Sequence, residues 1–221
     1  MGFNIAIDGP AGAGKSTIAK RVAKELSFIY VDTGAMYRAV ALYLIKNGIS
    51  PEDEAGLLRA CGQIHISIEY ENGEQQVILN GENVTGQLRN EEVGNMASAA
   101  AAKPCVRETL LTLQRDLAVK ADVLMDGRDI GTNILPDAQL KIYLTASVET
   151  RAGRRFRELQ EKGEACTLEA IAKDIEERDR KDMSRETAPL KMAEDAVLVD
   201  SSEMDIEEVA ARIISLYRER R

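Results

Sequence analysis

Apolar residues in this chain gather in five short β-prone runs. They are Asn4-Ile5-Ala6-Ile7, Phe28-Ile29-Tyr30-Val31, Val123-Leu124-Met125-Asp126, Leu140-Lys141-Ile142-Tyr143-Leu144 and Ala196-Val197-Leu198-Val199. Between the first two, Ile18, Val22, Ala23 and Leu26 recur on one face, which predicts a helix over residues 15–26. The second run leads into Asp32-Thr33-Gly34, read as a turn, then a helix over about 35–47 with Gly48 as its stop. Ser50-Pro51-Glu52-Asp53 reads as N-cap, first-turn proline and first-turn acids of another short helix. Helical spacing returns over 90–102, from Pro104 to about 120, over 148–162 with Gly163 as its stop, and from a Thr167 cap to about 183. Asp205-x-x-Glu208 opens a last helix with a capping-box pattern, and Ile206, Val209, Ile213 and Leu216 form its stripe. Five such runs separated by helices predict a parallel sheet covered on both sides.

The period changes once. Over residues 63–70, Ile64, Ile66, Ile68 and Tyr70 alternate with His65, Ser67 and Glu69, the mark of a half-exposed strand. Asn72-Gly73 and Asn80-Gly81 are hairpin-turn signals that flank a strand at Val77-Ile78-Leu79. A third strand is expected at Asn83-Val84-Thr85. A small antiparallel insert at about 63–86 thus interrupts the strand–helix alternation, its isoleucines on the buried face and His65 on the polar one. No internal repeat or low-complexity linker divides the chain.

Composition narrows the function. With 221 residues and net charge −8, one α/β domain with insertions is expected, and a general nucleic-acid or membrane-surface binder is not. No apolar run reaches the ~20 residues that span a bilayer. Neither a secretory leader nor an acyl anchor is expected, since Ala6 follows Met1-Gly2 where myristoylation needs Ser or Thr. Three cysteines, Cys61, Cys105 and Cys166, lie far apart in sequence and read as reduced thiols of a cytoplasmic protein. A single histidine disfavours a His-rich metal site and a Ser/His/Asp triad.

The candidate chemistry begins directly after the first strand. Gly9-Pro10-Ala11-Gly12-Ala13-Gly14-Lys15-Ser16, with Thr17 behind it, fits G-x-x-x-x-G-K-[ST] between a strand and a helix. Glycines let successive N–H groups turn toward a phosphate, and the helix N-terminus adds positive potential. Lys15 can reach the β- and γ-phosphates of a nucleoside triphosphate, and the Ser16 hydroxyl can hold Mg²⁺. Ligands of parallel sheets bind at the carboxyl ends of strands. The loops after Asp32 and Asp126 should therefore meet the phosphate loop at one rim. Arg38 and Arg128 are candidates for a second phosphate, since guanidinium forks pair with phosphate at two points. Arg178, Asp182 and Arg185 share one helix face at i, i+4, i+7, and Arg151, Arg154 and Arg155 share a face on the preceding helix. A GTPase switch is disfavoured, because no Asn/Thr-Lys-x-Asp motif occurs.

Four stretches taken together resemble one family. They are residues 7–15, Asp32-Thr33-Gly34-Ala35-Met36-Tyr37-Arg38, Asp126-Gly127-Arg128-Asp129-Ile130-Gly131-Thr132, and Glu177-Arg178-Asp179 with Asp182 and Arg185 to Pro189. The pattern is similar to that of bacterial cytidylate kinases over nearly the whole chain, with Thr33 where many members carry Ser. The resemblance implies a P-loop NTPase three-layer α/β fold with a five-stranded parallel sheet, the antiparallel insert and a helical lid. It implies a single kinase domain, 1–221, with a monophosphate-binding region at about 33–103 and a lid at about 151–166. The activity implied is transfer of the ATP γ-phosphate to CMP or dCMP, with Mg²⁺, by a cytoplasmic monomer. Other small acceptors (UMP, AMP, shikimate) are the alternative. By the same resemblance Thr33, Arg107 and Asp129 face the cytosine, and Ser98, Arg178 and Asp182 face the sugar. Arg38 and Arg128 hold the acceptor phosphate, with Arg185 at the phosphates. Arg154 or Arg155 closes over ATP.

Overall fold

The computed structural model describes residues 2–221; Met1, and with it the first residue of the acylation pattern, lies outside the described residues. In chain order the elements begin with β1 (Asn4–Asp8), α1 (Lys15–Leu26), β2 (Ile29–Asp32), α2 (Thr33–Lys46) and α3 (Glu54–Gln63). There follow β3 (Ile66–Glu71), β4 (Glu74–Leu79), β5 (Glu82–Asn83), α4 (Glu91–Ala100) and α5 (Pro104–Lys120). The chain closes with β6 (Val123–Gly127), β7 (Leu140–Thr145), α6 (Val148–Glu161), α7 (Leu168–Ser184), β8 (Val197–Asp200) and α8 (Ile206–Arg220). One turn of π-helix, Ile130–Ile134, follows β6. These elements form two compact units, a sheet unit of Phe3–Tyr30 with Asp122–Arg221 and an insert unit made chiefly of Val31–Ala121.

The sheet unit holds the five expected strands in the order β2-β6-β1-β7-β8. The central strand β1 pairs parallel on both sides, Ile5 opposite Leu124 and Leu140, Ile7 opposite Asp126 and Ile142. Side chains on both faces of β1 are covered, which makes it continuously apolar rather than alternating; Ile5, Ala6 and Ile7 are fully buried. Helices α1 and α8 pack together over this sheet, with Ile18, Val22, Val209 and Ile213 in one core with Leu124, Leu140 and Ile142. Phe3, Phe28 and Tyr217 meet in that core, Tyr217 edge-on to both phenylalanines at 4.9 and 5.5 Å. The expected capping box is present: Asp205 accepts from Glu208 N–H, and Glu208 accepts from Asp205 N–H.

In the insert unit α2 packs on α4 and α5, and α3 on α5, around Met36, Leu44, Leu57 and Leu110. The antiparallel sheet runs β3-β4-β5, with Ile66 opposite Leu79 and Ile68 opposite Val77. Asn72-Gly73 and Asn80-Gly81 both take positive φ at both residues (52° and 79°, 49° and 86°). That is the primed turn which matches strand twist and which Asn-Gly supplies.

Four boundaries depart from the sequence reading. Thr33-Gly34 is no turn; it is the start of α2, because the Asp32 carboxylate caps the helix by accepting from Ala35 N–H at 2.9 Å. Ser50 does not cap α3. Its hydroxyl accepts from Glu52 N–H, closing a turn, and Asp53 caps three residues later by accepting from Gly56 N–H. Ile64 ends α3 instead of starting β3; it is buried, Ile66 and Ile68 are half-buried, and Tyr70 near the hairpin tip is exposed. The third strand is only Glu82–Asn83, and Val84 turns inward ahead of a single 3₁₀ turn at Thr85–Gln87.

Candidate active site

The phosphate loop is shaped by its neighbours. A Cβ on Gly9 would overlap the Leu144 carbonyl oxygen of β7, so only glycine lets the chain leave β1 at that point. Gly14 takes a left-handed conformation at the N-terminus of α1, with no side chain capping the helix amides. Those amides remain directed outward in the manner that binds anions. Pro10, Ala11 and Ala13 are buried, Gly12 and Thr17 exposed.

Lys15 is buried and donates to the Pro10 carbonyl at 2.8 Å. Burial first, and the Arg128 guanidinium second, hold its ammonium well below the usual lysine range; Asp126, Asp182 and Asp8 oppose this. An anion arriving at Lys15 would restore its charge, since opposite charge favours the ionised form.

Two carboxylates end the central strands. Asp126, at the end of β6, accepts from the Ser16 hydroxyl and from Tyr30 OH, both at 2.9 Å. Asp8, at the end of β1, accepts from Ile130 and Gly131 N–H at 2.7 and 2.8 Å. Burial pushes the Asp8 carboxyl up to about 6, the two amides pull it down, and nearby Asp129 adds repulsion. Asp129 is buried and accepts from Asn133 Nδ2 at 3.1 Å.

Beyond these, Arg128 Nε donates to Asp182 at 2.8 Å, and Arg185 approaches the other Asp182 oxygen at 3.7 Å. Burial works to raise the Asp182 carboxyl, yet Arg128, Arg185 and Arg178 together hold it below the usual carboxylate range. The sheet unit therefore brings Lys15, Ser16, Arg128, Asp129, Arg178, Asp182 and Arg185 into one electrostatic cluster.

The arginines of α6 separate where the sequence put them on one face. Arg155 is exposed and pairs with Glu158. Arg154 donates to the Ser201 carbonyl at 2.7 Å and to its hydroxyl at 3.2 Å. Arg151 is buried against the phosphate loop: Nη1 donates to the Ala11 carbonyl at 2.8 Å and to Asp179 at 2.6 Å, and Nε to the Ala146 carbonyl. Asp179 in turn accepts from Ala11 N–H at 3.2 Å. Both backbone groups of Ala11 are thus gripped by one buried ion pair from α6 and α7.

The insert unit holds the other candidates. Thr33 is buried at the start of α2, and Arg38 is half-buried one turn on. A Cβ on Gly34 would come within 3.1 Å of Arg38 Nη1, which fits glycine there. Arg107 is buried, donates to the Ala101 carbonyl at 3.1 Å and lies over the Tyr37 ring at 5.6 Å. Ser98 is half-buried on α4.

Sequence reasoning assigned no role to Asp8, Asp126 or the Arg151–Asp179 pair. The available signal was an acid closing an apolar strand, at Ile7-Asp8 and Met125-Asp126. The Ser16–Asp126 oxygen pair fits Mg²⁺, which takes one or two protein oxygens and fills the rest of its shell with phosphates and water. Among the described residues no group of three or more His, Cys, Asp or Glu stands where it could hold a metal.

With the geometry in hand, comparison with known proteins decides the family. The family model described as cytidylate kinase matches residues 5–219. The chain belongs to the cytidylate kinase family. The protein called cytidylate kinase in Listeria welshimeri is 53% identical over 217 residues, 98% of this chain and 96% of that protein. Its namesake in Caldicellulosiruptor bescii is 50% identical over 215 residues, 97% and 95% of the two chains. Among solved structures, an uncharacterized protein from Eubacterium ventriosum superposes with TM-score 0.53 at 12% identity, covering 99% of each chain. That likeness bears on the fold alone. No helix of the described residues is long and apolar enough to cross a membrane.

Proposed function

We propose that this protein transfers the γ-phosphate of ATP to CMP or dCMP, giving ADP and CDP or dCDP. The observation that carries this reading is the cytidylate kinase match over residues 5–219, with the phosphate loop and its arginines as the chemistry it needs.

Phosphoryl transfer asks for positioning and charge neutralisation more than covalent chemistry. The amides from Gly12 to Gly14 and at the α1 N-terminus bind the ATP phosphates. Lys15 neutralises charge growing toward the β–γ bridge. Ser16 and Asp126 are the residues that would hold Mg²⁺, which would supply positive charge against that of the phosphates. The acceptor phosphate is itself the nucleophile, so no histidine or serine base is required. We assign Arg38 and Arg128 to that phosphate, Arg185 to the transferring group, and Ser98, Arg178 and Asp182 to the sugar. Asp129 receives the cytosine amino group, aided by the Thr33 hydroxyl, while Arg107 donates to the ring nitrogen or carbonyl. Arg154 or Arg155 closes over the ATP phosphates from α6, the first part of a lid at about 151–166 that keeps water from the γ-phosphate. Each would have to release its present partner, Ser201 for Arg154 and Glu158 for Arg155. The reading takes the whole chain as one kinase acting as a cytoplasmic monomer.

A coupled ADP-release assay with CMP, dCMP, UMP, AMP and shikimate in turn tests it. CMP and dCMP are expected to give turnover far above the others. A chain that phosphorylates another acceptor better, or only hydrolyses ATP, overturns the assignment.

A further inference from the structure

Asp129 opens a helical turn without capping it. The π-turn Ile130–Ile134 starts directly after it, and no hydrogen bond to the Asp129 side chain caps that turn. Aspartate is among the best capping residues, and Asp32, Asp53 and Asp205 each cap the helix they precede. The first amides of a helical turn have no acceptor within it and must find one elsewhere when buried. Here they find it 122 positions earlier in the chain, at the end of β1. Ile130 N–H donates to Asp8 Oδ1 at 2.7 Å and Gly131 N–H to Asp8 Oδ2 at 2.8 Å, one amide to each oxygen. Asp8 is 5% exposed and Ile130 fully buried, so water does not compete. The fit is close: a Cβ on Gly131 would lie 3.0 Å from Lys141 Cδ and 3.4 Å from Asp8 Oδ2. Lys141 is itself held by Asp195 at 2.9 Å. The Asp129 carboxylate meets Asn133 Nδ2 at 3.1 Å instead of its own backbone.

We infer that Asp8 is a positioning residue for base selection: it caps the turn after β6 in place of Asp129, and so keeps the Asp129 carboxylate directed at the acceptor base. The inference rests on the base-reading role proposed for Asp129.

Capping and base reading compete for the same carboxylate. An N-cap side chain accepts from the second or third amide of its helix, and aspartate turns to nearby backbone donors wherever they are offered. Asp8 already holds the second amide, that of Gly131. Its negative charge also repels another carboxylate from that place. The turn stays closed beyond this point, since the Asp129 carbonyl accepts from Asn133 and Ile134 N–H at 2.9 and 3.2 Å and the Ile130 carbonyl from Leu135 N–H at 2.7 Å. Two carboxylates thus divide two tasks, one fixing the backbone and the other facing the ligand.

The test compares wild type, Asp8→Asn, Asp129→Ala and the double variant with ATP and either CMP or UMP. Asparagine keeps the shape of Asp8 and one acceptor oxygen, but its NH₂ group meets a second N–H and gives that amide up. Asp129 can then cap the turn, so Asp8→Asn should fold. Its preference for CMP over UMP in kcat/KM should fall by roughly tenfold or more. The loss should lie in a raised KM for CMP, while KM for ATP stays within about twofold. In the Asp129→Ala background Asp8→Asn should remove no further discrimination, because Asp8 acts through Asp129. Amide exchange of the unliganded wild type needs no variant: Ile130 and Gly131 should be strongly protected. Rapid exchange at either amide overturns the inference. So does Asp8→Asn that keeps the wild-type preference while Asp129→Ala loses it, or an equal further loss in the double variant. Equal use of CMP and UMP by the wild type is a different result: it removes the base-reading role of Asp129 and this inference with it.

Discussion

Consider replacing Asp179 by alanine. Its carboxylate takes Ala11 N–H at 3.2 Å and Arg151 Nη1 at 2.6 Å. Asp179 and Arg151 are 8% and 4% exposed, so water cannot stand in for either. The substitution strands the Arg151 charge inside the protein with only the Ala11 and Ala146 carbonyls left to accept from it. Breaking a buried pair from one side typically costs about 3–5 kcal/mol. At 221 residues that corresponds to a fall in Tm of roughly 6–20 °C. The exposed Arg155–Glu158 pair is the internal control: Glu158→Ala should cost less than ~1 kcal/mol. Urea and thermal unfolding of Asp179→Ala, Arg151→Met and the double variant give the coupling energy directly. The double variant should recover most of the loss, because no charge is left unpaired. ATP affinity should fall with Asp179→Ala, since the backbone of Ala11 loses one of its two partners. A loss below ~1 kcal/mol, or a cycle with no coupling, would refute the argument that this pair sets the phosphate loop.

Three further outcomes are expected. Lys15→Ala should fold and bind less ATP, with turnover lower by several orders of magnitude; unchanged transfer to CMP would remove Lys15 from the mechanism. On the base-reading roles proposed for Asp129 and Arg107, UMP should be disfavoured relative to CMP by ~10²-fold or more in kcat/KM, because its carbonyl and ring N–H reverse the donor and acceptor pattern of cytosine. Asp129→Ala should lower CMP turnover more than UMP turnover, and equal wild-type efficiency on the two would defeat the base-reading roles. Asp8 gives a pH signature: its folded carboxyl lies near 6 against an ordinary 3.8. The folded state therefore holds the proton more tightly, and the stability from protonated Asp8, on the order of 3 kcal/mol, is complete below pH ~4 and lost as pH rises to ~6. Asp8→Asn should flatten that part of the stability–pH curve, and an identical slope in both proteins would contradict the burial of that charge.

What the sequence discloses follows the range of the interactions involved. The five strands were legible because each is a compact apolar run, and the phosphate loop because its chemistry is contiguous. The start of α2 was misplaced because Thr33-Gly34 has turn composition, whereas the Asp32 side chain decides the matter. Ile64 continued the alternation of β3 in the sequence but closes α3 in space. Spacing alone put Arg151, Arg154 and Arg155 together. Their partners, Ala11 and Asp179 for the first, Ser201 for the second and Glu158 for the third, send them apart, and only Glu158 is near in sequence. The roles of Asp8 and Asp126 were hidden for the same reason, because their donors come from Ile130, Gly131, Ser16 and Tyr30.

The place of β1 in its sheet has a consequence for how the protein is made. Asn4–Asp8 is synthesised well ahead of its two neighbours, which begin at Val123 and Leu140. At ~5–20 residues per second the ribosome needs roughly 6–23 s to travel from Asp8 to Val123. Through that interval Ile5, Ala6 and Ile7 have no strand to pair with, while all of Val31–Ala121, a compact unit in itself, is being made. The nucleotide loop is thus among the last parts of the molecule to take shape. Asp8 cannot receive its amides before Ile130 and Gly131 are added, and Ala11 cannot be gripped before Asp179 is. A nascent chain halted short of α7 carries the complete phosphate-loop sequence and still lacks the buried pair that holds it.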